Sequence, residues 1–178
     1  MMKNYIKTIL LIALGSLVLT ACKDAQPLKT VGTLDIEKYT GKWYEIARFP
    51  NRFEKGLKCV TATYTLKENG KIEVLNQGVK IDNPSKIEQS KGSAWIPDAT
   101  YPGQLKVSFF WPFAGDYYVI ELGDTYQYSL VGSPDRDYLW ILSRTPSLPE
   151  NTIQQLKQIA EDNGFDPSQL ELIEQNCQ

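Results

Sequence analysis

The chain has 178 residues, 42% hydrophobic and 22% charged, enough for one domain with a sizeable core. A formal charge of −2 gives no sign of a nucleic-acid partner, and the absence of histidine excludes Ser-His-Asp and Cys-His catalysis and histidine-ligated zinc. There is no glycine-rich phosphate loop and no GxGxxG run, so no nucleotide cofactor and no metal are expected.

The first residues read as an export signal. Lys3 and Lys7 give a positive start, and residues 8–19 form an apolar run shorter than the roughly 20 residues a bilayer span needs. The run ends in Leu19-Thr20-Ala21-Cys22, which looks like a bacterial lipobox. In such signals the chain is cut before the cysteine, whose sulfur takes a diacylglycerol and whose new amino group is acylated. The expected division is therefore a signal peptide over 1–21, a lipidated tether over 22–34 and a folded domain over 35–178. An ordinary signal peptide with an incidental cysteine, or a membrane anchor, are the alternatives. Lys23 stands where aspartate would be the usual inner-membrane retention signal, so the likeness points to an outer-membrane lipoprotein on the periplasmic face of a Gram-negative cell.

The domain opens with a helical turn at Asp35–Tyr39, followed by short alternating runs that favour strands near 42–49, 58–67, 71–80, 86–96, 104–111, 116–122, 126–132 and 137–144. Glu68-Asn69-Gly70-Lys71 reads as a hairpin turn, and Tyr101-Pro102-Gly103 and Ser133-Pro134-Asp135 also break the chain. Eight such strands in sequence-local order predict an all-β, antiparallel up-and-down barrel. One helix is predicted over about 149–163: Ser147 caps it, Glu150 completes a Ser-x-x-Glu box, Ile153, Leu156, Ile159 and Ala160 form its apolar stripe, and Gly164 stops it. Cys59 and Cys177 are expected to pair, because an exported protein meets an oxidising compartment. A catalytic Cys59 is the alternative, and it lacks a histidine or other evident base.

These residues resemble the lipocalin family, in particular bacterial outer-membrane lipoprotein lipocalins of the Blc type, related to apolipoprotein D. The first family signature, Gly-x-Trp-Tyr-Glu-Ile, is matched by Gly41 to Ile46, and the third by Ile141-Leu142-Ser143-Arg144 with Thr145-Pro146 after it. The second signature, Thr-Asp-Tyr, is present only loosely, as Leu122-Gly123-Asp124 and Tyr126. The pair Cys59 and Cys177 looks like an apolipoprotein D disulfide.

The resemblance implies a closed barrel end where Arg144 stacks across Trp43. It also implies a cavity lined from inward-facing positions: Val60, Ala62, Tyr64, Ala94, Leu105, Val107, Phe109, Tyr118, Ile120, Ser129, Tyr138 and Trp140, with simple core packing as the alternative at each. The loop Pro50–Gly56 should arch over the open end, with Arg52 or Lys55 placed to meet an anionic headgroup. Phe109-Phe110-Trp111-Pro112-Phe113 is read as a cavity lip, with a membrane patch or a homodimer contact as the other readings.

The implied function is binding, storage or transport of a small lipid, a fatty acid or lysophospholipid, by a membrane-anchored protein that is not an enzyme. Two rivals are a lipid-modifying enzyme on the same barrel, using Glu45 or the Asp135/Asp137 pair, and an envelope lipoprotein whose barrel is filled by side chains.

Overall fold

Eight strands form where the alternating runs fall, and they close on themselves. The computed structural model describes residues 26–177; the expected signal peptide and Cys22 lie outside the described residues. A helical turn, α1 (Ile36–Tyr39), precedes β1 (Gly41–Arg48), β2 (Leu57–Leu66), β3 (Ile72–Lys80), β4 (Ile87–Trp95), β5 (Gln104–Phe110), β6 (Phe113–Leu122), β7 (Tyr128–Gly132) and β8 (Leu139–Ser143). Sequence neighbours pair antiparallel throughout. β8 then pairs β1, and the first half of β1 pairs β2, with Gly41 opposite Tyr64 and Tyr44 opposite Thr61, which shuts the barrel. β6 starts at Phe113 rather than 116, because the β5–β6 hairpin turns at Trp111-Pro112. Gly70, at φ 77°, supplies the left-handed residue of the β2–β3 turn.

Two apolar cores lie on the two faces of one wall. Inside the barrel, Trp43, Tyr64, Val74, Ala94, Leu105, Val119, Val131 and Leu142 pack under the plug residue Tyr39. Outside, β1, β6, β7 and β8 pack Ile46, Ile120, Leu130, Leu139 and Ile141 against α2 (Glu150–Asp162), which buries Ile153, Leu156 and Ala160. The helix start departs from expectation. Pro149 is the cap residue and no side chain caps it; the Ser147 carbonyl is instead held by the Thr145 hydroxyl, and the Glu150 carboxylate accepts from Gln154. At the other end Gly164, at φ 85°, lets Phe165 N–H return to the Ala160 carbonyl and stops the helix.

The two ends of the described chain are fastened to the barrel by different means. Residues 26–34 run down the outer wall: Arg136 of the β7–β8 turn donates to the Gln26 carbonyl, Leu28 is buried in the outer core, and Val31 N–H donates to Val119 O at 2.9 Å. At the other terminus, β2 peels away from β1 at a bulge where Cys59 takes φ 50°. The tail fills the gap. A short β9 (Glu171–Leu172), not foreseen from sequence, pairs Ala47 and Arg48, and the Gln175 amide donates to the carbonyls of both Glu45 and Val60. Cys177 closes the seam in a disulfide with Cys59, with Cα atoms 6.1 Å apart.

Candidate functional site

The barrel is closed at one end and open at the other. At the closed end the Arg144 guanidinium lies 3.8 Å from the Trp43 ring centroid and donates to the carbonyls of Lys38, Lys42, Tyr39 and Tyr126. Trp43, wholly buried, donates its ring N–H to Tyr39 O at 2.8 Å. Gly41 suits this position because its φ of 93° is one that residues with a side chain rarely adopt.

Above this plug sits a floor of phenols. Tyr64 OH donates to Tyr117 OH at 2.9 Å, Tyr117 and Tyr39 share a hydrogen bond of 2.7 Å, Tyr39 meets Ser129 Oγ, and Ser129 donates to the Glu121 carbonyl. That carbonyl can only accept, so the donors run in one direction, away from the cavity. Burial raises the pKa of Tyr39, Tyr64 and Tyr117, which keeps all three protonated.

The cavity rises from this floor to the mouth. A narrow inner part of about 80 Å³ is lined by Ala62, Tyr64, Val74, Tyr117, Leu142, Thr61 and Glu45. It leads to an outer chamber of about 730 Å³ bounded by Leu57, Gly78, Gln89, Ser90, Phe110, Phe113 and the β1–β2 loop residues Arg52, Phe53 and Lys55. Val60, Asn76, Val107, Phe109, Trp140 and Glu54 line both. The β4–β5 ladder covers only Ser93–Trp95, so the start of β4 swings away from β5 and widens the chamber on that side. Phe109 packs there over Gly92, where a Cβ would come within 2.8 Å of its ring.

One buried polar cluster stands at the waist between the two parts. Arg48 donates to Glu45 Oε1 at 2.6 Å and to the carbonyls of Glu54 and Leu57, and Glu45 and Arg48 are each about 5% exposed. Glu54 Oε2 accepts from Asn51 and from the Trp140 ring N–H at 3.1 Å. Burial, helped by the Glu54 charge, outweighs Arg48 and pushes the Glu45 pKa well above the ordinary carboxyl value. Asn76 Oδ1 is buried without a hydrogen-bond partner, the only such side-chain atom among the described residues.

The structure brings together Val60, Ala62, Tyr64, Val107, Phe109 and Trp140 around the cavity. Ala94, Leu105 and Ser129 point inward but lie packed in the closed half. Tyr138 stands at the rim, stacked on Trp140 at 5.7 Å and near Phe53 at 6.3 Å. Two expected lining residues are corrected: Tyr118 and Ile120 face outward against α2, and their neighbours Tyr117 and Val119 face in. The alternation of β6 carries no sign of this, because α2 makes both faces of the strand apolar. Sequence reasoning also missed Glu54 and Asn76 as lining residues, since one belongs to a loop and the other is a polar residue on an inward face. Asp135 is occupied in its turn, accepting from Ser133 and from Asp137 N–H.

Six of the nine exposed large apolar residues among the described residues surround the mouth: Phe53, Ile81, Ile87, Phe110, Trp111 and Phe113, with Trp111 91% exposed. Arg52, Lys55 and Lys80 line the chamber among them.

The family described as Lipocalin-like domain matches residues 34–175. Outer membrane lipoprotein Blc of Escherichia coli (strain K12) is 43% identical over 166 residues, 92% of this chain and 93% of that protein. Apolipoprotein D of Bos taurus is 38% identical over 151 residues, 80% of this chain and 78% of that protein. The solved structure of insecticyanin from the tobacco hornworm Manduca sexta superposes with a TM-score of 0.67 at 26% identity, covering 85% of this chain and 87% of that one. A barrel sealed by Trp43 and Arg144, a family match over most of the chain and 43% identity across 92% of it lead to one conclusion: the chain belongs to the lipocalin family.

Proposed function

We propose that the protein is an outer-membrane lipoprotein that binds, stores or carries a small lipid, a fatty acid or lysophospholipid, in its barrel. The observation that carries this reading is the open outer chamber of about 730 Å³, walled by Val60, Val107, Phe109 and Trp140 and ending below in a sealed floor. Burying an acyl chain there gains about 0.8 kcal/mol per CH2 before association costs. No covalent step is needed, and the acids a catalytic reading would use are held in an ion pair (Glu45) or a turn (Asp135).

The bacterial relatives named outer membrane lipoproteins support the location. Chain geometry supports its orientation. Gln26 is held beside the β7–β8 turn at the mouth end, so the chain that precedes it leaves from that end. The anchor, the exposed Phe110–Phe113 lip and the rim cations thus share one end, and the mouth faces the lipid surface. Anchorage takes more than one acyl chain, which the acylated cysteine supplies.

Native mass spectrometry of the protein from membranes, with uptake of a fluorescent fatty acid, tests the reading. Co-purified monoacyl lipid and saturable uptake are expected. Protein free of lipid that also takes up no probe would leave the envelope lipoprotein with a filled barrel as the better account.

A further inference from the structure

A second hollow, about 780 Å³, lies on the outer face of the barrel wall beside the chamber. Its floor is a row of outward residues on adjacent strands, Glu73, Ser93 and Ser108, whose chain neighbours Val74, Ala94 and Val107 pack inside. Its sides carry Lys67 and Lys71 of the β2–β3 turn, Lys91 of β4, and the indoles of Trp95 and Trp111. Lys67 pairs with Glu73 at 3.2 Å, while Lys71 and Lys91 make no ion pair among the described residues. Three ammoniums against one carboxylate make this groove cationic in a chain whose formal charge is −2. The wall behind it is thin. The β4–β5 ladder stops at Ser93 and Ser108, and beyond that rung Gly92 has no side chain to fill the gap. Phe109 fills it instead, and among the described residues it is the one side chain that borders the groove, the outer chamber and the inner part alike.

We propose that this groove seats the phosphate of a single-chain phospholipid, whose acyl chain passes between β4 and β5 beside the Phe109 ring into the outer chamber. The inference rests on the lipid-carrier reading and adds to it a headgroup site outside the barrel. Lys71 and Lys91 supply the charge, as point cations that suit a phosphate, and Ser93 adds a hydroxyl donor. Trp95 and Trp111 give the glycerol and a headgroup ammonium an aromatic face. A phosphate is poorly placed within the barrel. Glu54 and Glu88 line the chamber, Lys80 there is paired with Glu88 at 3.3 Å, and Arg48 is committed to Glu45 and two carbonyls. The glycerol arm sets the phosphate several bonds beyond the acyl chain, enough to cross a wall one ring thick. A fatty acid has no such arm, so its carboxylate reaches the lysines only by drawing methylenes out of the apolar chamber.

The test is displacement of a fluorescent acyl probe from the purified full chain at pH 7 and low salt by three ligands that share a dodecanoyl chain: the lysophosphatidate, the monoglyceride that lacks only its phosphate, and dodecanoate. The lysophosphatidate is expected to bind about tenfold tighter than the monoglyceride, the worth of two exposed ion pairs, and to lose most of that margin in high salt. Lys71→Gln with Lys91→Gln should bring the two within about twofold by weakening the lysophosphatidate alone, with Tm kept within about 2 °C because both side chains are exposed. A photoreactive group on the phosphate should label β4 around Lys91–Trp95, while displacement of the probe shows the chain inside the barrel. Equal affinity of lysophosphatidate and monoglyceride overturns the proposal while the carrier reading stands. So does labelling of the β1–β2 loop, or a margin that survives in Lys71→Gln with Lys91→Gln and is lost instead in Arg52→Gln with Lys55→Gln. Failure of all three ligands to displace the probe overturns both.

Discussion

Arg144→Met keeps the length of the side chain that clamps the closed end and removes its charge. The guanidinium lies 3.8 Å from the Trp43 centroid, a half-buried cation–π contact worth about 1 kcal/mol. It also donates to Lys38 O at 2.7 Å, Lys42 O at 2.9 Å, Tyr39 O at 3.2 Å and Tyr126 O at 3.3 Å. Tyr39 O keeps a donor in Trp43 Nε1, and the carbonyls of Lys38 and Lys42 lie near enough to the surface to turn to water. The net loss from these bonds is then that of one or two ordinary hydrogen bonds, about 1–2 kcal/mol. The sum, about 2–3 kcal/mol, lowers Tm by roughly 4–12 °C for a chain of this size. Urea unfolding of the wild type, Arg144→Met, Trp43→Phe and the double variant measures it and isolates the stacked pair, whose coupling should be near 1 kcal/mol. Ligand affinity should stay within about twofold, because the clamp lies beneath the phenol floor and touches no part of the chamber. A Tm unchanged in Arg144→Met, or lost binding with stability kept, refutes the assignment of this pair to closure.

Four further outcomes follow from the same geometry. Reducing the Cys59–Cys177 bond, which closes a loop of 118 residues, should cost about 4–5 kcal/mol in urea unfolding and release the tail from the barrel, seen as faster amide exchange at Ile173 and Cys59, whose N–H groups donate to Ile46 O and Glu174 O. Glu45 binds its proton more tightly folded than unfolded, so its contribution to stability falls as pH rises above the unfolded value of 4.5; relative to Glu45→Gln the wild type should lose stability across that rise, and a difference that stays constant with pH counts against it. Gly92→Ala should cost about 1–3 kcal/mol and displace Phe109, because its Cβ would sit 2.7 Å from the Ser108 carbonyl oxygen, and probe affinity should change with it. Replacing Phe110, Trp111 and Phe113 by Ser should leave Tm within about 2 °C, since these rings are exposed, yet slow the transfer of a fluorescent lipid from vesicles to the protein.

Much of the fold was legible because its signals are local. The Gly41–Ile46 run and the turn at Asn69-Gly70 each state their conformation within a few residues, and two cysteines in a chain whose start reads as an export signal suggest their own pairing. The β6 face was not legible. Tyr117, Tyr118, Val119 and Ile120 are all apolar enough for either side, and only the presence of α2 on the outer wall decides which pair points inward. The waist cluster was hidden for a different reason. Glu54 reaches Trp140 across 86 positions of sequence and Asn76 reaches the cavity by strand parity alone, so neither carries a spacing that a reader of the chain could weigh. The seam strand β9 escaped because two residues are too short to show a period.

The N-terminal strap has a mechanical consequence. The chain enters beside the mouth at Gln26, descends the outer wall to Val31, and only then turns under the barrel to form the plug at Tyr39. Tension applied ahead of Gln26 would therefore meet the Arg136 clamp first and the bond from Val31 to Val119 second. The plug lies downstream of both and stays unloaded while they hold. Under the proposed membrane anchorage, drag on the tether would strain the strap before it disturbed the cavity, so the barrel could be towed without being uncorked.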